Sequence, residues 1–274
     1  MNPALTVLIV TCVFVALFVL EQLFPLRNRT ASLLHRLFIN LAISALVFAT
    51  AALFVKPLSN VGLRWASEKG FGLLHLVNLP APLLGVLGFL LMDLSFYYWH
   101  RANHKIPLLW RFHNVHHIDA DLDVSTAFRF HFGEVAFSAG FRLLQVVVLG
   151  ISVWGFAIYE LVFQANTLFH HSNWRLPLRL ERVLNAVLVT PRMHGIHHSQ
   201  TEQQTNSNYS TVFSWWDRLH RSFEGNVPQA DIVIGVPAYT RQDGESLVRC
   251  LLLPFTKQRD YWRKAEAVRP NQDG

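Results

Sequence analysis

Four stretches of the chain are almost free of charge, and between them the polar residues collect in short, dense runs. Residues 4–20 and 37–55 contain no charged side chain, and residues 71–92 contain only the titratable His75. Each is long enough to cross, or nearly cross, a bilayer as a helix. No basic segment leads into the first run and no A-x-A-like cleavage pattern precedes Glu21, so it is expected to be a retained span rather than a signal peptide. The fourth stretch, residues 135–169, is uncharged except for Arg142 and Glu160 and has Gly150 near its centre. That is too long for one span. Split at Gly150, each arm measures roughly 25 Å, just short of the hydrocarbon thickness. A tight helical hairpin that stops short of the far side is predicted. Arg142 and Glu160 then lie at similar depth on facing arms, and an ion pair is expected because a lone charge in lipid is costly. The alternative has Arg142 snorkelling outward and Glu160 facing a polar cavity.

Composition supports a membrane protein: 51% of residues are hydrophobic and 15% charged, against about 25% charged in ordinary soluble domains. Arg27, Arg29 and Arg36 follow the first run and Arg101, Lys105 and Arg111 follow the third, whereas Lys56, Arg64, Glu68 and Lys69 between the second and third are mixed in sign. The positive-inside rule places the N-terminus outside and residues 25–36 in the cytoplasm. Counting spans onward brings every histidine-rich segment to that same cytoplasmic face. The net charge of +6 and pI near 9.6 favour anionic headgroups. No basic-aromatic interleaving of the kind a nucleic-acid site needs is present. Cys12 and Cys250 are the only cysteines, which rules out a disulfide framework and leaves nitrogen and oxygen as the ligand atoms for any metal.

The chain has fourteen histidines, eleven of them between positions 100 and 198. Three sets have helical spacing: His100 and His104; His113, His116 and His117; His194, His197 and His198. Residues three and four apart share one helix face, so each set aims its imidazoles one way. Eight protonatable rings on such faces repel one another unless a cation binds, and one metal takes four to six ligands, so two metals are indicated. His170 and His171 at the end of the hairpin's return arm, and His131 in RFHFGE, are further candidates to complete the shells. His35, His75 and His220 stand outside the pattern and are expected to be ordinary surface or core residues.

The stretches WHRANH (99–104), HNVHH (113–117), DLDVSTAFRFHFGE (121–134), FHHSN (169–173), TPRMHGIHHS (190–199) and NYSTVFSWWDRL (208–219) resemble the sterol desaturase and fatty acid hydroxylase superfamily of membrane histidine-motif oxygenases, over roughly residues 88–222. The resemblance implies an all-α fold, an integral-membrane four-helix-type bundle whose cytoplasmic, histidine-rich helical cap holds two iron ions, with zinc able to take their place in purified protein. It implies as ligands His100, His104, His113, His116, His117, His194, His197 and His198, with His171 next and His170 beside it. Asn166 stands where some members carry another histidine. The chain reads Asn208-Tyr209-Ser210 and Trp216-Asp217-Arg218-Leu219-His220-Arg221-Ser222 where members commonly read N-Y-G and W-D-R-L-F-G-T. Glu134, Asp119 and Asp217 are candidates to orient ligand histidines, and Tyr209 to line the site; a helix-surface or packing role competes in each case.

These features imply hydroxylation or desaturation of a fatty acyl, alkyl ether or sterol-like lipid with O2, with the aromatics Phe96, Tyr97, Tyr98 and Trp99 a candidate substrate lining. No flavin or dinucleotide fingerprint, haem-domain signature or cysteine cluster occurs, so electrons are expected from a separate ferredoxin or small haem cytochrome with its reductase. Competing readings are an inactive lipid-binding scaffold, a metal transporter, whose ligands belong at mid-membrane, and a membrane haem protein, which needs single facing histidines. Three regions are expected: N-terminal spans and loop over 1–70, the histidine-motif domain over 71–222, and a cytoplasmic extension over 223–274 in which residues 247–264 form an amphipathic helix resting on the membrane.

Overall fold

The computed structural model describes residues 3–263, and among these every regular element is helical. The first span is α1, Pro3–Leu23. α2, Leu33–Thr50, runs through a π-helical stretch at Ala51–Val55 directly into α3, Lys56–Lys69. The second apolar run is therefore the middle of one long helical segment, not a span bounded by a charged loop. Ser59, Gly62, Leu63 and Ala66 are buried at the i, i+3, i+4, i+7 spacing of a helix stripe, so residues 56–69 fold as a helix to cover that stripe. Pro57 follows directly on the π-helical stretch, where the hydrogen-bond register of the helix changes.

The third apolar run is divided differently from the expectation. Gly70 and Gly72 have positive φ, 58° and 118°, and Pro80 precedes the next helix, so residues 70–80 turn and extend apart from a short 3-10 turn at Leu73–Leu76. α4, Ala81–Lys105, then continues without a break through WHRANH. His100 and His104 thus ride on the last turns of a membrane-length helix rather than on a segment after it. α5, Pro107–His117, begins immediately beyond, with Pro107 in its first turn.

The hairpin turns at Gly150 as its pattern predicts, but its first arm is long and apolar enough to cross a membrane rather than stopping short of it. α6, Phe132–Leu149, ends at Gly150 in the left-handed region, and α7, Val153–His171, returns. Arg142 and Glu160 pair at 2.8 Å, and Arg142 also donates to Gln145 at 2.7 Å and lies over the rings of Phe96, Tyr159 and Phe163. Leu63, Leu74, Met92, Val146, Leu149, Ile151 and Tyr159 form the buried centre of this bundle. Four helical segments, Ala4–Leu23, Leu33–Leu76, Ala81–Lys105 and Phe132–Leu149, are long and apolar enough to cross a membrane, and the chain reads as an integral membrane protein.

A cap of short helices and loops closes one end of the bundle, including α8, Leu178–Asn185, and α9, Pro191–His197. The segment after Ser222 is built into the same core: Val236, Ala238, Tyr239, Cys250 and Leu253 pack with Ile39, Ile43 and Val47 of α2 and Trp110, Val115 and Ile118. The amphipathic helix expected over 247–264 is replaced by a helix of six residues, Leu247–Leu252, and one turn at Leu253–Phe255. Pro254 cannot continue a helix, and burying Cys250 and Leu253 against α2 and α5 holds the segment on the protein. Residue 264 and the polar tail after Val268 lie outside the described residues.

Arg36 plays a different part from the topological marker read in the sequence. It is buried at 1% exposure and ion-paired to Asp119 at 2.7 Å and to Asp123, and it donates to the Asp121 carbonyl at 3.0 Å. Arg129 joins the network through Asn40 at 2.7 Å. This buried network fastens the loop between α5 and α6 to α2.

Candidate metal centre

Four helices converge under the cap. The last turns of α4 bring His100 and His104; α5 brings His113, His116 and His117; α7 ends on His170 and His171; α9 brings His194 and His197 with His198 just past its end. Nine of these sort into two groups in which the nearest ring nitrogens all lie within 4.8 Å of one another: His100, His104, His113, His117 and His197 in one, His116, His171, His194 and His198 in the other. The groups abut, with the His117 and His198 rings stacked at 4.4 Å.

The outward hydrogen bonds fix what the inward nitrogens are. A carbonyl or carboxylate oxygen only accepts, so the ring nitrogen facing it carries the hydrogen. By this rule Nδ1 donates from His100 to the Tyr209 carbonyl at 2.7 Å and from His113 to Glu134 at 2.9 Å. It donates likewise from His116 to the Arg129 carbonyl at 3.2 Å, from His171 to the Thr167 carbonyl at 2.8 Å and from His197 to the Ser207 carbonyl at 2.6 Å. Each neutral ring is then left with a bare lone pair on Nε2. Yet Nε2 of His171 faces Nε2 of His116 at 3.1 Å and Nε2 of His194 at 3.0 Å, and Nε2 of His194 faces that of His198 at 3.1 Å. In the other group His113 and His117 approach Nε2 to Nε2 at 3.3 Å, and buried Nε2 atoms of His104 and His197 have no hydrogen-bond partner.

His116 and His171 both donate from Nδ1, so their Nε2 lone pairs face one another at 3.1 Å and call for a cation between them, whereas Nδ1 of His117, His194 and His198 has no partner among the described residues and either tautomer is open to these rings. Nitrogens about 2.1 Å from a shared ion sit roughly 3.0–3.4 Å apart in octahedral or tetrahedral arrangements, so the residues present fit a metal in each group. The electrostatics agree. Burial pushes His116, His117, His194 and His198 far below the usual imidazole range, with neighbouring rings adding to it, and pushes His197 down to about 3. These are neutral imidazoles, the form that ligates metals.

The other residues singled out in the sequence fall in distinct places. His170 lies beside the second group, its ring 4.1 Å from that of His194 and its Nδ1 on the Thr211 carbonyl at 3.1 Å. Asn166, one turn earlier, donates to the same carbonyl at 2.6 Å. His131 caps α6: its Nδ1 accepts from Gly133 at 2.9 Å and its Nε2 meets the Leu251 carbonyl at 3.1 Å, so it joins neither group. Glu134 holds His113 directly. Asp217 touches no histidine; it accepts from the amides of Tyr209 and Ser210 at 2.9 and 2.8 Å and from Ser222 at 2.7 Å. It thereby sets the loop whose carbonyls hold His100 and His170. Burial raises its carboxyl. Asp119 also touches none of them; burial raises its carboxyl, but Arg36 and Arg129 outweigh this and hold it well below the usual range. Tyr209 is buried, with its ring 5.2 Å from His104 and 5.9 Å from His100 and His197.

Of the aromatics read as a candidate substrate lining, Phe96 and Trp99 pack on Phe141 of α6 and Tyr97 is buried against His220. His35 and His220 lie away from both groups, on the Glu245 carbonyl and the Tyr98 hydroxyl. The residues that sequence reasoning missed are those acting through backbone: the carbonyls of Arg129, Thr167, Ser207, Tyr209 and Thr211. No side-chain pattern announces a carbonyl, although the nearness of NYS and FRF to the histidine motifs is a faint signal.

Residues 85–222, just over half the chain, match the fatty acid hydroxylase family. The chain is 29% identical to an ornithine lipid hydroxylase of Rhizobium tropici over 65% of its own length and 52% of the relative's. It is 30% identical to the alkylglycerol monooxygenase of Xenopus tropicalis over 58% and 34%, and 29% identical to human cholesterol 25-hydroxylase over 47% of each. The chain thus spans about a third to a half of the length of these relatives. No solved structure matches it. With the family match extending from α4 to the loop set by Asp217 and containing all nine converging histidines, the chain belongs to the fatty acid hydroxylase family.

Proposed function

We propose that this protein is a membrane-bound, O2-dependent lipid hydroxylase that holds one iron ion in each histidine group. The observation that carries the reading is the convergence of nine histidines into two compact groups of ring nitrogens, with the Nε2 lone pairs of His116 and His171 facing one another at 3.1 Å. The proposed ligands are the nine converging histidines, with His170 as a tenth candidate at the edge of the second group. The relatives compared above are hydroxylases or monooxygenases by name, which favours hydroxylation over desaturation. The substrate is a lipid of the fatty acyl, alkyl ether or sterol-like class. The balance is RH + O2 + two electrons + two protons giving ROH + H2O, with the electrons from a separate ferredoxin or small haem cytochrome.

Bound iron supplies O2 activation and the oxidising power to remove hydrogen from an unactivated C–H bond. The chain's own residues supply the rest. Glu134 and the carbonyls of Arg129, Thr167, Ser207 and Tyr209 hold His113, His116, His171, His197 and His100 in one tautomer and orientation. The cap buries the centre from water. Placing the groups where α4 and α7 end sets them at one face of the bundle, cytoplasmic by the charge pattern, within reach of lipid in the bilayer.

The test is metal analysis of detergent-purified protein from iron-supplemented cells, wild type beside His113→Ala/His197→Ala, followed by mass spectrometry of lipid extracts incubated with labelled O2. The expected result is two metals per chain, a sharp loss in the double variant, and one labelled oxygen in a lipid product. Wild-type protein without stoichiometric metal after reconstitution would falsify the assignment.

A further inference from the structure

We propose that electrons enter the five-histidine group through two stacked indoles, Trp110 and Trp262, and that the basic surface around Trp262 receives an acidic one-electron carrier protein. This rests on the metal-dependent reading above. Trp110 sits on α5 one turn before His113 and is buried at 6% exposure. The indole lies against the centre, with ring centroids 4.8 Å from His104, 5.2 Å from His117 and 6.1 Å from His113. On the outer side it stacks with Trp262 at 6.3 Å and 27°, and meets the edge of Tyr261 at 5.8 Å. Trp262 is only partly buried. A continuous line of conjugated rings therefore runs from two proposed ligands to the surface.

Core filling asks only for apolar volume at position 110, which an aliphatic side chain supplies. Electron tunnelling asks for more, because its rate falls exponentially with distance and most steeply across gaps between packed groups. The carrier gives up one electron and is oxidised, the centre gains one, and no bond is made or broken. Two deliveries supply the two electrons of the balanced reaction.

Charge identifies the partner. Lys257, Arg259 and Arg263 flank Trp262 in the chain, with Asp260 the one acid among them; Arg259 is ion-paired to Asp243 at 2.9 Å, so the exposed Lys257 and Arg263 carry most of the charge. Arg111, next to Trp110, donates to the Thr256 carbonyl at 2.9 Å and adds its charge to the same surface. A positive surface around a partly exposed aromatic suits an acidic protein that must dock quickly and leave quickly, as weak redox encounters do through small interfaces.

The test uses full-length, iron-loaded protein in nanodiscs, made anaerobic and mixed with either of two acidic probes: reduced plant-type ferredoxin or the reduced soluble domain of cytochrome b5. Dithionite is the small-molecule control. Stopped-flow absorbance reads reduction of the centre, with metal content measured on every variant. Trp262→Leu is expected to slow carrier-driven reduction at least about tenfold at unchanged metal content and dithionite rate, and Trp262→Phe to recover most of it. Lys257→Glu is expected to lower the carrier-driven rate several-fold at low salt and flatten its salt dependence. Equal carrier-driven rates in wild type and Trp262→Leu overturn the route. Loss of binding to phosphatidylserine vesicles in Lys257→Glu with carrier-driven reduction unchanged assigns the basic surface to lipid and overturns the docking. If dithionite reduces the wild type and neither carrier does, this proposal fails while the metal reading stands; if the wild type holds no reducible metal, both fail.

Discussion

Among the described residues Glu134 is the one carboxylate on a proposed ligand histidine; the outward partners of His100, His116, His171 and His197 are carbonyls. It is 6% exposed and 2.9 Å from His113. Carboxylate–histidine pairs of this kind typically govern metal affinity by 10–100-fold. Glu134→Ala is therefore expected to lower metal retention in chelator competition about 10–100-fold, and Glu134→Gln by less, since its amide oxygen still accepts from Nδ1. Equal retention in Glu134→Ala and wild type would show that helix packing alone orients His113. Arg36 is the second decisive residue. Removing it leaves Asp123 buried without its cation and Asp119 with only the more distant Arg129 at 3.9 Å, a change of the kind that commonly costs about 3–5 kcal/mol. Arg36→Met should lower the detergent thermal midpoint well beyond any surface arginine variant and broaden the monodisperse peak. The ligand types were legible from helical spacing, but the roles of Asp217 and Asp119 were not, because a carboxylate's partner depends on loops that fold back from eight to eighty residues away.

Among the elements, the hairpin shows how far local pattern reaches. A charge-poor run with one central glycine is enough to foresee α6, its turn and α7, because the left-handed φ of 66° at Gly150 suits glycine above all. What the run did not foretell is the partner of that turn. A Cβ on Gly72 would lie 2.4 Å from the Gly150 amide nitrogen, and one on Gly150 would lie 2.5 Å from the Phe71 carbonyl. The two backbones cross where only glycines fit. Gly72→Ala, strained by both its φ of 118° and this contact, is expected to destabilise by more than about 1 kcal/mol. Gly85→Ala, in a helix with open space around the added carbon, should be neutral or slightly stabilising. Thermal unfolding of both in one detergent checks the contrast. Residues 56–69 mark the opposite limit: their charges read as a loop, and the buried stripe facing α6 decided for helix.

For the whole molecule, the gathering of neutral imidazoles sets a dependence on acid. In metal-free protein the folded pKa values of His116, His117, His194 and His198 are depressed by burial, and that of His197 lies near 3. Unfolded histidines protonate below about 6.5. Between these limits the unfolded chain binds more protons, so stability rises with pH and falls as the solution is acidified below about 6.5. Bound metal adds to the effect, since protons compete for the same nitrogens. The expected outcome is a thermal midpoint flat above about pH 7.5 and dropping toward pH 5, more steeply than in a variant with His194 and His198 replaced by Gln. A midpoint independent of pH over that range would contradict the buried, neutral cluster.

The sequence by itself determined the first membrane-length helix, the hairpin, the family and the residue types at the centre, because hydropathy and the i, i+3, i+4 spacing are local properties of the chain, whereas the bounds of the second and third helices followed from packing. Only the tertiary structure decided that nine histidines divide into groups of five and four, that His131 turns away to cap α6, and that Arg36 lies buried in an ion network rather than marking a loop. Each of these depends on which distant backbone carbonyl, carboxylate or ring happens to fill the remaining side of the residue. That is fixed by packing between elements, and no periodicity within one element records it.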